Sequence, residues 1–440
     1  MTAAVPTRVS RVHPAWWVAA VTFLALIGAA AFRAVPGVLI DPLHEEFGWS
    51  LSTISLAVAI NLALYGLTAP FAAALMERFG IRRVVVAALL VVSLGSGLTV
   101  FMTASWQLVM LWGVIVGLGT GSMAMALVAT VVGRWFVARR GLVSGVLTAA
   151  GATGQLIFLP VVALISERWG WRPAALGTAA AALTVAPFVA WLLRDRPRDL
   201  GVTPYGGTAE DDVDPVRGNP ARTAITGLTG AVRTRPFWLL AGGFLICGAS
   251  TNGLVQPHFI PAAHDHGMPV TTAAGLLAVV GIFDVAGTIF SGWLTDRADP
   301  RVLLLAYYGL RGMSLFLLPQ LFGTDIRASM IAFIVFYGLD WVATVPPTLA
   351  LCRQYFGARA PVVFGWVFAS HQIGAALAAF GAGVVRDVTG SYDGAWYGAA
   401  VLCAFAAVLS ISIRRRPAAE VGETAMPITP TPAAAAEAHG

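Results

Sequence analysis

The chain of 440 residues is 58% hydrophobic and only 11% charged, with a net charge of +6 whose basic residues are all arginine. A chain of this length carries more apolar surface than a globular core buries, which excludes an ordinary water-soluble domain. In a soluble protein the basic excess would suggest nucleic acid; here the arginines flank apolar runs, so membrane topology accounts for it and no nucleic-acid partner is expected.

A helix needs about 20 apolar residues to cross hydrocarbon. Runs of that kind lie near 16–40, 53–75, 83–103, 107–132, 141–165, 173–193, 237–260, 272–294, 302–322, 329–351, 362–384 and 394–413. The first is too long for the apolar core of a secretion signal and is read as the first span. With the amino end inside, Arg168, Arg172, Arg327 and Arg386 fall outside and the other arginines beyond the spans fall within. The positive-inside rule then puts both termini in the cytoplasm of a multi-pass inner (plasma) membrane protein. Residues 1–15 form a cytoplasmic N-terminus, 16–198 a first six-helix bundle, 199–235 a cytoplasmic linker, 236–413 a second bundle and 414–440 a disordered tail. The segment "RDRPRDLGVTPYGGTAEDDVDPVRGNPARTAITG" between the bundles, rich in Pro, Gly and charge, reads as flexible. Cys247, Cys352 and Cys403 sit in or beside apolar runs without ligand spacing, so these cysteines support neither a disulfide framework nor a zinc site.

Sliding the chain on itself by about 219 residues aligns its halves. "ALMERFGIRR" (74–83) falls on "WLTDRADPRV" (293–302), pairing Glu77 with Asp296 and Arg78 with Arg297; one residue further on, Arg139 meets Arg359, Gly145 meets Gly365 and Gly154 meets Gly374. An even number of spans per repeat makes the repeats parallel, related by an axis along the membrane normal. That arrangement suits two bundles rocking about a midplane site. The expected fold is therefore all-α, with twelve transmembrane helices in two parallel six-helix repeats.

The acidic residue, Arg and basic residues of "AALMERFGIRR", echoed in "SGWLTDRADPR", resemble the cytoplasmic loop signature of the major facilitator superfamily. Glu77, Arg78, Arg82, Asp296 and Arg297 are its gate-loop residues here; Ala73, Glu77 and Ile81 depart from the usual Gly, Asp and basic residue. "GRWFVARRGLVSGVLTAAGATGQ" (133–155) and "PLHEEFGWS" (42–50) are similar to the monocarboxylate and oxalate porter group. Gly141, Gly145 and Ala149, like Gly113, Gly117 and Gly121, are spaced four apart, so neighbouring helices can approach closely.

Ionisable groups within a span cost about 2.5–3.5 kcal/mol on insertion scales, so each needs a partner or a task. Arg33, Asp284, Arg311, Asp340 and His371 are such groups, and Asn61, Tyr65 and Gln155 add neutral polarity. The repeat sends Asp284 onto Tyr65 and Arg33 onto Asn252, so polar positions recur in pairs on spans that, by the resemblance, border a central cavity. Arg311 falls on Val92 and on a span peripheral in the family fold. Asp340 is its favoured structural partner; Asp284 and direct substrate contact are the alternatives.

Arg33 offers a two-pronged match to a carboxylate, with a satisfied cation near the outer end of the first span as the plainer reading. In "FDVAGTIFSG" the porter group often has Asp followed four residues later by a substrate-binding Arg; here Asp284 is followed by Thr288, so Arg33 or His371 has to supply positive charge. Asp284 is the candidate proton carrier, with His371 as a second and a permanent ion pair or a structural histidine as the plainer readings. His258, His264 and His266 gather at an outer loop, where an ordinary solvated loop, a gate contact or a metal site are all open readings.

No nucleophile with a base and no phosphate cradle emerges, so neither an enzyme nor a cofactor is expected. The favoured function is secondary active transport of a small organic anion, a carboxylate, coupled to protons, with the solute, protons and membrane lipid as partners. Proton-coupled efflux of drugs or metabolites is the close rival. A non-transporting membrane sensor is a different class, and a channel lacks any repeated filter-like ring.

Overall fold

The computed structural model describes residues 12–49, 51–123, 125–212 and 219–415. The N-terminal 11 residues and the tail from 416 lie outside the described residues, as do the side chains of Arg33 and Gln155. Among the described residues the chain is helical, with one isolated bridge between Phe136 and Tyr205 in place of any sheet.

The first bundle comprises α1 (Pro14–Phe47), α2 (Leu51–Phe79), α3 (Ile81–Leu98), α4 (Ser105–Trp135), α5 (Arg140–Trp169) and α6 (Trp171–Leu192). The second comprises α7 (Arg235–Asp265), α8 (Val270–Thr295), α9 (Pro300–Leu321), α10 (Ala328–Asp340 and Val345–Phe356), α11 (Ala360–Thr389) and α12 (Asp393–Ile411). Their lengths and apolar composition make this a multi-pass integral membrane protein, the fold expected from the twelve apolar runs. The helix ends follow local chemistry. At α1, Pro14 opens the helix, the Ala15 N–H donates to His13 Nδ1 (3.2 Å), and Gly48 closes it in the left-handed region at φ 66°. That helix runs to Phe47, beyond the apolar run ending near 40, because its last turns are polar but still helical.

Close packing comes from the glycine stripes. Gly113, Gly117 and Gly121 of α4 lie against the backbone of α2: a methyl group at Gly117 would stand 3.1 Å from Asn61 Cα, and one at Gly121 2.9 Å from Leu64 O. Two seams join the bundles at the end where the linker lies. In one, Gly145 of α5 faces Thr288 and Gly292 of α8; in the other, Gly365 of α11 faces Ala69 and Pro70 of α2. The internal repeat carries Gly145 onto Gly365 and Ala69 onto Thr288, so the two seams are copies of one contact.

Two sequence expectations meet a different structure. The run 329–351 reads as one helix, yet α10 breaks between Asp340 and Val345. Pro346 and Pro347 have no N–H to return to the preceding turn, and their rings crowd its carbonyls. The linker, read as flexible, is held over much of its length. The Val137 N–H donates to Tyr205 O (2.9 Å) and the Tyr205 N–H to Trp135 O (2.9 Å), while the Tyr205 ring sits on His13, Trp16 and Phe136. Further on, a linker helix (Pro220–Ala231), capped by Asn219, lies on both α2 and α11. An anchoring aromatic and an amphipathic stretch within the segment hold its described residues in place.

Candidate functional site

Between the bundles lies a cavity of about 440 Å³. Tyr65 of α2, Thr148, Gly151 and Leu156 of α5, Asn252 and Gln256 of α7, Leu277 and Asp284 of α8, Trp341 of α10 and Phe368, His371 and Gln372 of α11 are among its walls. The repeat that superposes Tyr65 on Asp284 also superposes Thr148, Gly151 and Ala152 on Phe368, His371 and Gln372, and all eight line the cavity. The frame is two-fold, while among the described lining residues the carboxylate and the imidazole, Asp284 and His371, belong to the second half. Both seams lie on the linker side of this space. The lining continues along α8 from Asp284 to Ala274, about 15 Å of helix towards the opposite end.

Asp284 is 4% exposed. Its Oδ1 accepts from Thr288 Oγ1, one turn along α8 (2.8 Å), and from the Val342 N–H in the break of α10 (3.2 Å). Thr288, four residues after Asp284, thus donates its hydroxyl to that carboxylate. His371 is 8% exposed, stacked on Phe368 (5.8 Å between centroids, 16° between planes) and 4.9 Å from the Phe244 ring. Phe368 in turn meets the edge of Tyr65 at 5.5 Å, joining the two bundles through aromatic contact.

Behind the cavity, Arg311 is 0% and Asp340 4% exposed. All five guanidinium hydrogens are matched by acceptors. Arg311 Nε donates to Asp340 Oδ2 (2.5 Å), Nη2 to Asp340 O (2.6 Å) and Trp341 O (3.2 Å), and Nη1 to Cys247 Sγ (3.2 Å) and Ser250 Oγ (3.5 Å). The two backbone carbonyls are ones the break of α10 releases. A third, Ala343 O, takes the Ser291 hydroxyl at 2.5 Å, and Val342 O takes the Val345 N–H at 3.0 Å. Arg311 and Ser291 satisfy the carbonyls of the break while Asp284 satisfies an amide, which is how irregular backbone is tolerated at membrane depth.

The remaining sequence candidates are distributed as follows. Asn61 donates to Trp112 O (2.8 Å) between α2 and α4 rather than lining the cavity. Asn252 lines it; Arg33 and Gln155 lie on α1 and α5 with side chains outside the described residues. In the gate loops, Asp296 accepts from the Gly141 (2.6 Å) and Leu142 (2.9 Å) N–H groups that open α5, so a residue of the second bundle caps a helix of the first. Glu77, its repeat equivalent, pairs with Arg134 within its own bundle at 2.9 Å. The asymmetry has a covalent cause: the residue of α11 matching Gly141 is Pro361, which has no N–H to offer. The Arg82 N–H donates to Asp195 (2.8 Å), and Arg78 and Arg297 lie over Phe79 and Trp293. His258, His264 and His266 each contact a backbone carbonyl, and no group of three metal-ligating side chains occurs among the described residues. Trp341, Gln256 and Gln372 were not singled out from sequence. The Pro346–Pro347 pair signals the break that exposes Trp341, and the repeat of Ala152 signals Gln372.

Known proteins match over most of the chain. Residues 21–379 match the family model described as Major Facilitator Superfamily. The chain is 24% identical to the Bacillus subtilis "Uncharacterized MFS-type transporter YcxA" over 86% of its own length and 90% of that protein's. It is 27% identical to mouse monocarboxylate transporter 11, over 86% and 82% respectively. Among solved structures, the transporter FucP in the outward conformation superposes with a TM-score of 0.68 at 16% identity, covering 92% of this chain and all of that one. With two repeated six-helix bundles around a central cavity and a family match across nearly the whole membrane region, the chain belongs to the Major Facilitator Superfamily of transporters.

Proposed function

We propose that this transporter moves a small organic anion, a carboxylate, across the inner or plasma membrane by alternating access coupled to protons. Supporting it is the position of Asp284: a carboxylate in the wall of the central cavity, bound to the freed Val342 amide of a broken helix. An ionised Asp284 accepts from that amide; a protonated one accepts less well and becomes a donor, so proton loading alters the wall that touches the solute. His371, with Arg33 of α1, supplies the positive complement to the solute's carboxylate. With the linker on the cytoplasmic side and both termini inside, the closed seams make this an outward-facing arrangement. The similarity to proteins named monocarboxylate transporters favours the same cargo class.

Asp284→Asn is the discriminating substitution, because an amide oxygen still accepts from Val342 and Thr288 while carrying no titratable proton. In proteoliposomes this variant is expected to lose uptake driven by an inward proton gradient and to keep exchange of internal for external solute. Undiminished acid stimulation in the variant removes Asp284 from the role.

One observation favours a second reading. The described lining contains the carboxylate of Asp284 and no arginine, which suits a cationic cargo exported in exchange for protons. Flux of a permanent cation against a proton gradient, with no flux of any carboxylate, decides for it.

A further inference from the structure

Away from its linker end the cavity differs in chemistry from one wall to the other. Asn252 and Gln256 of α7 and His371 and Gln372 of α11, helices packed on one another, form a hydrogen-bonding side. None of the three amide side chains makes a hydrogen bond to another described residue, so their donors are available to whatever occupies the space. Across from them α5 and α8, packed together at their own seam, place Thr148 and Asp284 nearest the linker end and, further along the space, Gly151, Ala152, Leu156, Leu277, Ala278 and Gly281, which carry no side-chain polar atom. Aromatic rings close the ends of the polar side, with Phe244 and Phe368 about His371.

Size matters as much as polarity. The cavity measures about 440 Å³. An acid of two to four carbons fills less than half of it and leaves the α5–α8 wall facing water. Such an acid also gains little from an apolar surface whose contribution grows with the area removed from water.

We propose, resting on the organic-anion reading above, that the cargo is an amphipathic carboxylate with a ring-sized apolar body. The body lies on the α5–α8 wall beside Leu277 and Ala278, and the carboxylate takes hydrogen bonds from the Asn252, Gln256 and Gln372 amides with His371. Short acids enter the site but bind weakly, because they meet the head group's partners without covering the wall.

The test is calorimetric binding to purified full-length protein with four probes: 3-phenylpropionate, propionate, 3-phenylpropionamide and phenethylammonium. The expected result is that 3-phenylpropionate binds at least about tenfold more tightly than propionate and than its own amide. Leu277→Ala is expected to weaken 3-phenylpropionate several-fold and leave propionate within about twofold. Ala278→Trp, which fills the space for the body, is expected to abolish the preference; Leu277→Ala serves if that larger residue impairs folding. Equal affinity for propionate and 3-phenylpropionate overturns the proposal while leaving the organic-anion reading intact. Equal affinity for the acid and its amide overturns it through the head group. Binding of phenethylammonium with no binding of either acid overturns the organic-anion reading together with it.

Discussion

Removing Arg311 probes the buried polar unit behind the cavity. In Arg311→Met the Asp340 carboxylate, 4% exposed, loses the guanidinium at Oδ2, and Oδ1 already has no hydrogen-bond partner among the described residues. Breaking a buried pair from one side typically costs about 3–5 kcal/mol. Asp340→Leu strands Arg311 instead; the guanidinium keeps two carbonyls, a thiol and a hydroxyl, so the lower end of that range applies. The double variant carries no stranded charge. Asp340 O still accepts from the Ala343 N–H (3.3 Å), leaving Trp341 O as the carbonyl deprived of its donor, at about 1–3 kcal/mol. The double variant is therefore expected to be more stable than either single one. The measurement is the fraction of monodisperse protein after graded heating in detergent. A double variant as damaged as the two singles combined, or an Arg311→Met protein that melts like wild type, refutes the pairing energetics.

Three other substitutions address the seams and the end far from the linker. A side chain at Gly145 places Cβ 2.6 Å from Thr288 O and 3.0 Å from Gly292 Cα, both backbone atoms that cannot swing aside. Gly145→Val should hold the linker end open and abolish flux, seen as new labelling of a cysteine at the cavity from the linker side. Trp366 of α11 donates to Ala224 O of the linker helix (3.0 Å) and packs its ring on Phe71 of α2 at 5.9 Å, tying linker and both bundles together. Trp366→Phe removes one hydrogen bond worth about 1 kcal/mol and should shift the same labelling equilibrium about fivefold towards the open linker end. Labelling unchanged from wild type would mean that the linker helix carries no share of the closure. At the far end, the Arg172 hydrogen bond, helped by the Trp171 indole, holds the Glu46 carboxyl below its usual range. That stabilisation is present at neutral pH and is lost as the pH falls through the lowered folded value. Glu46→Gln should cost under about 1 kcal/mol at pH 7, since both side chains are substantially exposed, and the difference from wild type should vanish in strong acid.

The architecture was legible because hydrocarbon thickness demands long apolar runs and because the two halves kept a register. The repeat pairs Gly145 with Gly365, which form equivalent seams, and the same operation relates the cavity faces of α5 and α11. Tyr65, Asn252, Asp284 and His371 could be named from sequence, since polar atoms within apolar runs stand out, and all four reach the cavity. Periodicity carried less information where backbone geometry decides. Asn61 has the same polarity as a lining residue, but the approach of Gly113 and Gly117 to α2 brings Trp112 O within its reach, and it turns away from the cavity. The break in α10 depends on a Pro–Pro pair whose consequences need three other helices to complete: Asp284 and Ser291 from α8, Arg311 from α9 and Cys247 from α7. The order in the linker was hidden because Tyr205 contributes through distant aromatic partners, which local composition does not reveal.

The central claim is that a proton travels with a carboxylate through this cavity, and proton movement measures it most directly. Proteoliposomes holding a pH-sensitive dye, with equal pH on both sides, receive an external carboxylate that binds the purified protein. The account predicts immediate acidification of the lumen with wild-type protein and none with Asp284→Asn. Carboxylate entry without acidification, or equal acidification with Asp284→Asn, would contradict it.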